Sequence, residues 1–124
     1  MKSANIIKNA EIDETDRFIA ENGREVTAYY INVDIEEGRQ LFNDITGEDI
    51  DECFEEYIEE GEGDEASELS GCNISLELYT DTEEVRCFTI SPTAEYDDEF
   101  TDFDTFDIDD EDILEVMLKK ARNA

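Results

Sequence analysis

The chain has 124 residues with 38 acidic and 9 basic side chains, a formal net charge of -29 at pH 7, yet 39% of its residues are hydrophobic. That apolar content is enough for the core of one folded domain spanning residues 1–124, so the acidity does not indicate a disordered tail. The charge excludes direct binding to nucleic acid or an anionic membrane, and the absence of histidine excludes histidine-based triads, metal sites and general bases.

The cellular location of the protein is indicated by the absence of membrane-spanning and signal segments and by its cysteine usage. It has no run of about 18 apolar residues that could span a membrane, and residues 1–10 lack the apolar stretch of a signal peptide. Cys53, Cys72 and Cys87 show no C-x-x-C spacing, so we interpret them as reduced thiols without a metal. We therefore expect a cytoplasmic protein with no cofactor.

The first predicted elements are a short helix and a central strand. Residues 13–22 are predicted to form a helix with Phe18 and Ile19 inward, closed by Gly23. Residues 25–35, EVTAYYINVDI, are rich in β-branched and aromatic side chains, which is typical of a strand.

A second helix is predicted over residues 47–60, with Thr46 as its N-cap and Asp49 in the capping-box position. The apolar side chains recur at helical spacing on one face. They are Ile50, Cys53, Phe54, Tyr57 and Ile58.

A β-hairpin is predicted over residues 72–91. Apolar and polar residues alternate in 72–79 and again in 84–90, and the short link 80–83 joins these two strands. Ser91-Pro92 is expected to end the second strand.

The last predicted element is a helix over residues 110–122, capped by Asp109. Its first turn is acidic and its last turn is basic, an order that suits the helix dipole. Together the elements predict an α+β fold, a small antiparallel sheet of about three strands packed by two or three helices.

Acidic residues are concentrated in two blocks, with 12 in residues 48–68 and 11 in residues 95–112. In the predicted helix, five i,i+4 pairs are like-charged with no interleaved lysine, at a cost of roughly 0.2–0.5 kcal/mol each. We predict this outer face as one contact surface: Glu48, Asp49, Asp51, Glu52, Glu55, Glu56, Glu59 and Glu60.

The second block combines acids with phenylalanines at every third position, Phe100, Phe103 and Phe106. These rings either fix an irregular segment onto the core, or lie exposed as interface anchors, or belong to a segment that folds on a partner. We predict its acids as a second contact surface: Asp97, Asp98, Glu99, Asp102, Asp104 and Asp107.

The segments GEDIDECFEEYIEEGEGDE and EYDDEFTDFDTFDIDDED, in so small a chain, resemble the acidic DNA-mimic proteins of phages and mobile elements. The resemblance is one of size and charge pattern, without a family motif. It implies a non-enzymatic anti-CRISPR or anti-restriction inhibitor that acts in the cytoplasm of a bacterial host cell. Its partner would be a basic nucleic-acid-binding protein such as a CRISPR effector or restriction nuclease. Such inhibitors block DNA entry or the arginines that read the target-adjacent motif.

Other readings remain open at this point. An immunity protein or antitoxin that neutralises a cationic nuclease toxin would share the same electrostatics. Calcium binding is suggested by the density of aspartates in residues 102–110, but EF-hand spacing fails from either Asp102 or Asp107. Halophilic adaptation would acidify the whole surface, whereas residues 1–47 carry a net charge of only -5. An enzyme using paired carboxylates has little positive charge with which to hold an anionic substrate.

Overall fold

A computed structural model describes residues 2–124 as an alternation of helices with antiparallel strands. The elements in chain order are α1 Lys2–Asn9, β1 Glu14–Ile19, β2 Glu25–Asp34, α2 Ile35–Thr46, α3 Ile50–Glu59, β3 Glu68–Tyr79, β4 Val85–Tyr96, β5 Glu99–Asp102, β6 Phe106–Asp107 and α4 Glu111–Arg122.

The strands form one antiparallel sheet in the order β1-β2-β3-β4-β5, and the two-residue β6 pairs with β4 beyond the end of β5. The predicted α+β class is confirmed. The sheet is larger than the predicted three strands, because β1, β5 and β6 were not recognised as strands.

The core lies between one face of this sheet and the helices. Ile31, Ile74 and Ile90 stand side by side on β2, β3 and β4 and are fully buried. Phe42 of α2 and Met117 of α4 belong to the same buried cluster. Along a strand, alternate side chains point to opposite faces, and the second face carries no helix within residues 2–124. We call it the open face.

The predicted helix over residues 13–22 is wrong. Most of this segment is β1, which forms a hairpin with β2. The Ala20 N–H donates to the Arg24 carbonyl and the Gly23 N–H donates to the Ala20 carbonyl, both at 2.9 Å. Gly23 has φ +83°, so it supplies the left-handed residue of a three-residue hairpin loop instead of ending a helix.

The helix predicted over residues 47–60 is confirmed as α3, but its predicted start is wrong. Thr46 is the last residue of α2, a helix the sequence analysis missed, and its hydroxyl donates to the Phe42 carbonyl at 2.7 Å. Gly47 ends α2 in the left-handed conformation, and Asp49 is the N-cap of α3.

Strand β2 and the β3–β4 hairpin are confirmed, but Pro92 does not end β4, which continues to Tyr96. The Pro92 carbonyl accepts a hydrogen bond from the Phe103 N–H at 3.1 Å. Since the nitrogen and carbonyl of a strand residue point to the same side, the missing N–H of proline faces the gap between β5 and β6. No ladder bond to β3 is lost, which is how proline is tolerated here.

Helix α4 is confirmed, with its cap displaced by one residue. The Asp110 carboxylate, rather than that of Asp109, accepts hydrogen bonds from the N–H groups of Asp112 and Ile113.

Candidate functional site

The outer face of α3 is a row of exposed carboxylates. Ile50 is buried and Cys53, Phe54, Tyr57 and Ile58 are half-buried, so the helix orientation is set by its apolar stripe. The opposite face is left to solvent, and within residues 2–124 none of its glutamates forms an ion pair. These exposed residues are Glu52, Glu55, Glu56, Glu59 and Glu60.

The acids at the start of α3 have structural partners. The Asp49 carboxylate accepts a hydrogen bond from the Asp51 N–H at 2.9 Å and caps the helix. Asp51 receives two bonds from the Arg39 guanidinium of α2, at 2.9 and 3.0 Å. This contact holds the pKa of the Asp51 carboxyl below its ordinary value. Glu48 lies before the cap, outside the helix, so these three acids differ in environment from the exposed glutamates further along α3.

An aromatic cluster joins the second acidic block to α3. The Phe103 ring stacks on Tyr57 with centroids 4.8 Å apart and lies 5.7 Å from Phe54. Asp104 follows directly and is close enough to Cys53 to act on it electrostatically. Burial, reinforced by the charges of Glu48, Asp104 and other nearby acids, raises the pKa of the Cys53 thiol to about 11.

The rest of the β4–β5 hairpin extends the same acidic surface. Glu99 lines a small cavity of about 130 Å³ with Tyr57, Glu62 and Asp64. Asp97 and Asp98 form the two-residue loop between paired Tyr96 and Glu99, with φ +52° and +65°. Glu62 and Asp64, which follow α3, were not among the predicted contact residues.

Asp102 and Asp107 do not join this surface, because strand alternation directs them to the open face. Asp102 stands beside Thr93 and Asp107 beside Thr89. Desolvation by neighbouring atoms raises the pKa of Asp102. The predicted second contact surface is thus divided between two faces of the domain.

The open face has further acids that the sequence analysis missed. Burial raises the pKa of Tyr30 on β2, and the charges of Glu77, Asp16, Glu14 and Asp102 add to this shift. The alternation of residues 14–19 would have located the β1 acids if that segment had been recognised as a strand. Glu77 forms an ion pair with Arg86, the residue between Val85 and Cys87 at a register shift in the β3–β4 ladder.

The three phenylalanines of the second block have three environments. Phe106 packs edge-to-face on Phe42 with centroids 5.1 Å apart, and Phe103 belongs to the α3 cluster. Phe100 is 67% exposed, so this ring is available for contact with another molecule.

Within residues 2–124, no three acidic or cysteine side chains come together in a way that could hold a metal ion. No helix in that range has the length and apolar character needed to cross a membrane. No protein-family model, curated protein or solved structure matches the chain.

Proposed function

We propose that this protein is a DNA-mimic inhibitor of a nucleic-acid-binding host-defence nuclease, of the anti-CRISPR or anti-restriction type, with no chemistry of its own. The observation that carries the proposal is the joining of the two acidic blocks. Stacking of Phe103 on Tyr57 brings the β5–β6 segment against α3, so that acids from both blocks border a single surface. A basic DNA-binding groove presents positive charge, which is complementary to this acidic surface.

The energetics of α3 support a role for these acids in binding. The pairs Glu52/Glu56, Glu55/Glu59 and Glu56/Glu60 place like charges four residues apart, at a combined cost of about 0.6–1.5 kcal/mol. The last turn of α3 has no basic residue, so Glu59 and Glu60 also oppose the helix dipole. Soluble surfaces commonly intersperse both signs, and these acids weaken the fold unless a cationic partner covers them.

The spacing of these charges suits mimicry of a phosphate backbone. Neighbouring side chains on a helix face lie about 5–6 Å apart at Cβ, and phosphates follow each DNA strand every 3.4 Å along the axis. Lysine and arginine side chains that contact phosphates can form comparable ion pairs with carboxylates. An inhibitor of this kind competes with DNA, and its affinity falls as salt screens the charges.

Capture from bacterial lysate tests the proposal. The tagged protein is incubated with lysate containing a CRISPR effector and restriction enzymes, washed with and without excess duplex DNA, and the bound proteins are identified by mass spectrometry. We expect a nuclease that DNA releases. Capture that DNA does not affect would instead favour an immunity protein against a toxin, and failure to capture any basic nucleic-acid-binding protein would refute the mimic.

Two charge-reversal variants locate the contact surface on the identified nuclease. The first changes Glu52, Glu55 and Glu56 to Lys. The control changes three exposed acids outside both blocks to Lys: Glu21, Glu83 and Glu115. Both variants then have a net charge of -23. In a competition assay with fluorescent target DNA, the α3 variant should lose inhibition and the control should retain most of it. Equal loss in both variants would show that total charge, not the α3 surface, determines binding.

A further inference from the structure

A cavity of about 570 Å³ opens on the open face, away from the α3 surface. It lies along a row of aligned residues, Asp34 on β2, Gly71 on β3, Thr93 on β4 and Asp102 on β5. Strands are about 4.8 Å apart, so the two aspartates stand roughly 14 Å from each other at opposite ends of the row.

Gly71 occupies the middle of this row without a side chain. Its φ is +151°, and a Cβ placed on it would lie 2.0 Å from the Val33 carbonyl oxygen. Any other residue at this position would force the backbone to move, so the row keeps a position without a side chain between Asp34 and Thr93.

The β5 wall combines a carboxylate with an exposed aromatic ring. Phe100 and Asp102 are two residues apart and therefore point to the same face of β5, and both line the cavity. Among the side chains of residues 3–124 the Asp102 carboxylate has no ion-pair partner, whereas Asp34 at the other end accepts a hydrogen bond from the Glu37 N–H.

The remaining lining is uncharged and includes the polar Asn32, Ser70 and Asn73 as well as the apolar Val33 and Cys72. The Asn73 amide donates to the Asn32 side-chain oxygen at 3.2 Å, and no lysine or arginine lines the cavity. The site thus presents two carboxylates, amide groups and one exposed ring to any group that enters, and this chemistry favours a planar cation.

We infer that this cavity binds an arginine side chain of a protein partner. If the proposed function holds, on which this step rests, the occupant is an arginine of the nuclease's DNA-binding surface. The guanidinium can donate a bidentate pair of hydrogen bonds to the Asp102 carboxylate while its plane stacks on the Phe100 ring. Lysine has neither the planar fork nor the stacking surface. Arginine is also the side chain that most often reads guanine in a DNA groove, and an arginine held here is withdrawn from that task.

The test uses L-argininamide as the probe and lysinamide as the charge-matched comparison. Each is titrated into the ¹⁵N-labelled protein and followed by amide chemical shifts. We expect argininamide to shift the signals of Gly71, Thr93 and residues 100–102 first, with lysinamide binding more weakly. Asp102→Asn should weaken argininamide at least about tenfold, since a charge-assisted hydrogen bond is lost, and Phe100→Ala about two- to fivefold.

Asp98→Asn provides the matched control, because it removes one charge from the same hairpin outside the cavity. Its affinity for argininamide should stay within about twofold of the parent. Equal weakening by Asp98→Asn and Asp102→Asn, or shifts of similar size for both probes over all acidic surfaces, would overturn the inference.

The same variants separate this inference from the proposed function. If argininamide occupies the cavity but no nuclease is captured, the cavity assignment holds and the inhibitor function fails. If a nuclease is captured and inhibited equally well by Asp102→Asn, inhibition stands and arginine capture by this cavity is refuted.

Discussion

Charge reversal near the C-terminal end of α3 should stabilise the protein, whereas the same change near the N-terminal end should not. Glu59→Lys and Glu52→Lys both change the net charge from -29 to -27, but Glu59 is in the last turn and Glu52 is in the first. Glu59→Lys removes the repulsion with Glu55 and replaces it with an attraction, each about 0.2–0.5 kcal/mol. It also replaces an unfavourable charge at the C-terminal end of the helix dipole with a favourable one, each change contributing about 0.3–1 kcal/mol.

The low ends of these ranges sum to about 1 kcal/mol of added stability for Glu59→Lys, or roughly 3–5 °C in Tm for a chain of this size. Glu52→Lys gains a similar pair energy with Glu56 but loses a favourable charge at the N-terminal end, so its Tm should stay the same or fall. Thermal unfolding followed by circular dichroism at low salt measures both variants, and added salt should shrink the difference. Equal increases in Tm would refute the local helix reasoning and show that overall charge repulsion dominates.

Two further predictions concern the β4–β5 loop and a buried thiol. Replacing Asp97-Asp98 with Asn-Gly should add about 1 kcal/mol to the free energy of unfolding, because both positions have positive φ and Asn-Gly prefers this turn; a lower urea midpoint would contradict the turn geometry. Burial raises the pKa of the Cys72 thiol to about 12, so iodoacetamide at pH 8 should modify Cys72 only in urea. Rapid labelling of Cys72 in the native protein would contradict its burial. On raising the pH from about 9 to about 12 the unfolded chain loses this proton first, so the free energy of unfolding should fall over that range, less steeply in Cys72→Ala.

The fold could be predicted where the sequence pattern matched the local structure. The hairpin of β3 and β4 alternates clearly, residues 25–34 are rich in β-branched and aromatic side chains, and α3 and α4 have apolar side chains at helical spacing. Helix α2 was missed because Ile35 reads as the end of β2 and Gly38 interrupts the helical pattern. Gly38 is placed there by packing, since a Cβ on it would lie 3.3 Å from the Cys72 Sγ, and such contacts between distant residues leave no local signal.

Only the acidic composition of the candidate site could be predicted from the sequence. The density of acids was evident in the sequence, but their division between two faces depends on β5 being a strand, which places Glu99 near α3 and Asp102 on the open face. The pairing of Asp51 with Arg39 crosses from one helix to another. Neither relation follows from spacing along the chain, because both depend on how the helices and the sheet pack.

The lysines that line one end of the domain make its charge distribution uneven. Lys8, Lys119 and Lys120 surround a cavity that Thr15 of β1 also lines, while the α3 acids adjoin the segment after β5, at the other edge of the sheet. Five strands at about 4.8 Å spacing separate these edges by roughly 19 Å. A cationic surface therefore attracts the β5 edge more strongly than the β1 edge before any contact forms. The domain therefore approaches such a surface with its β5 edge first. Its association rate should depend on salt more steeply than its dissociation rate.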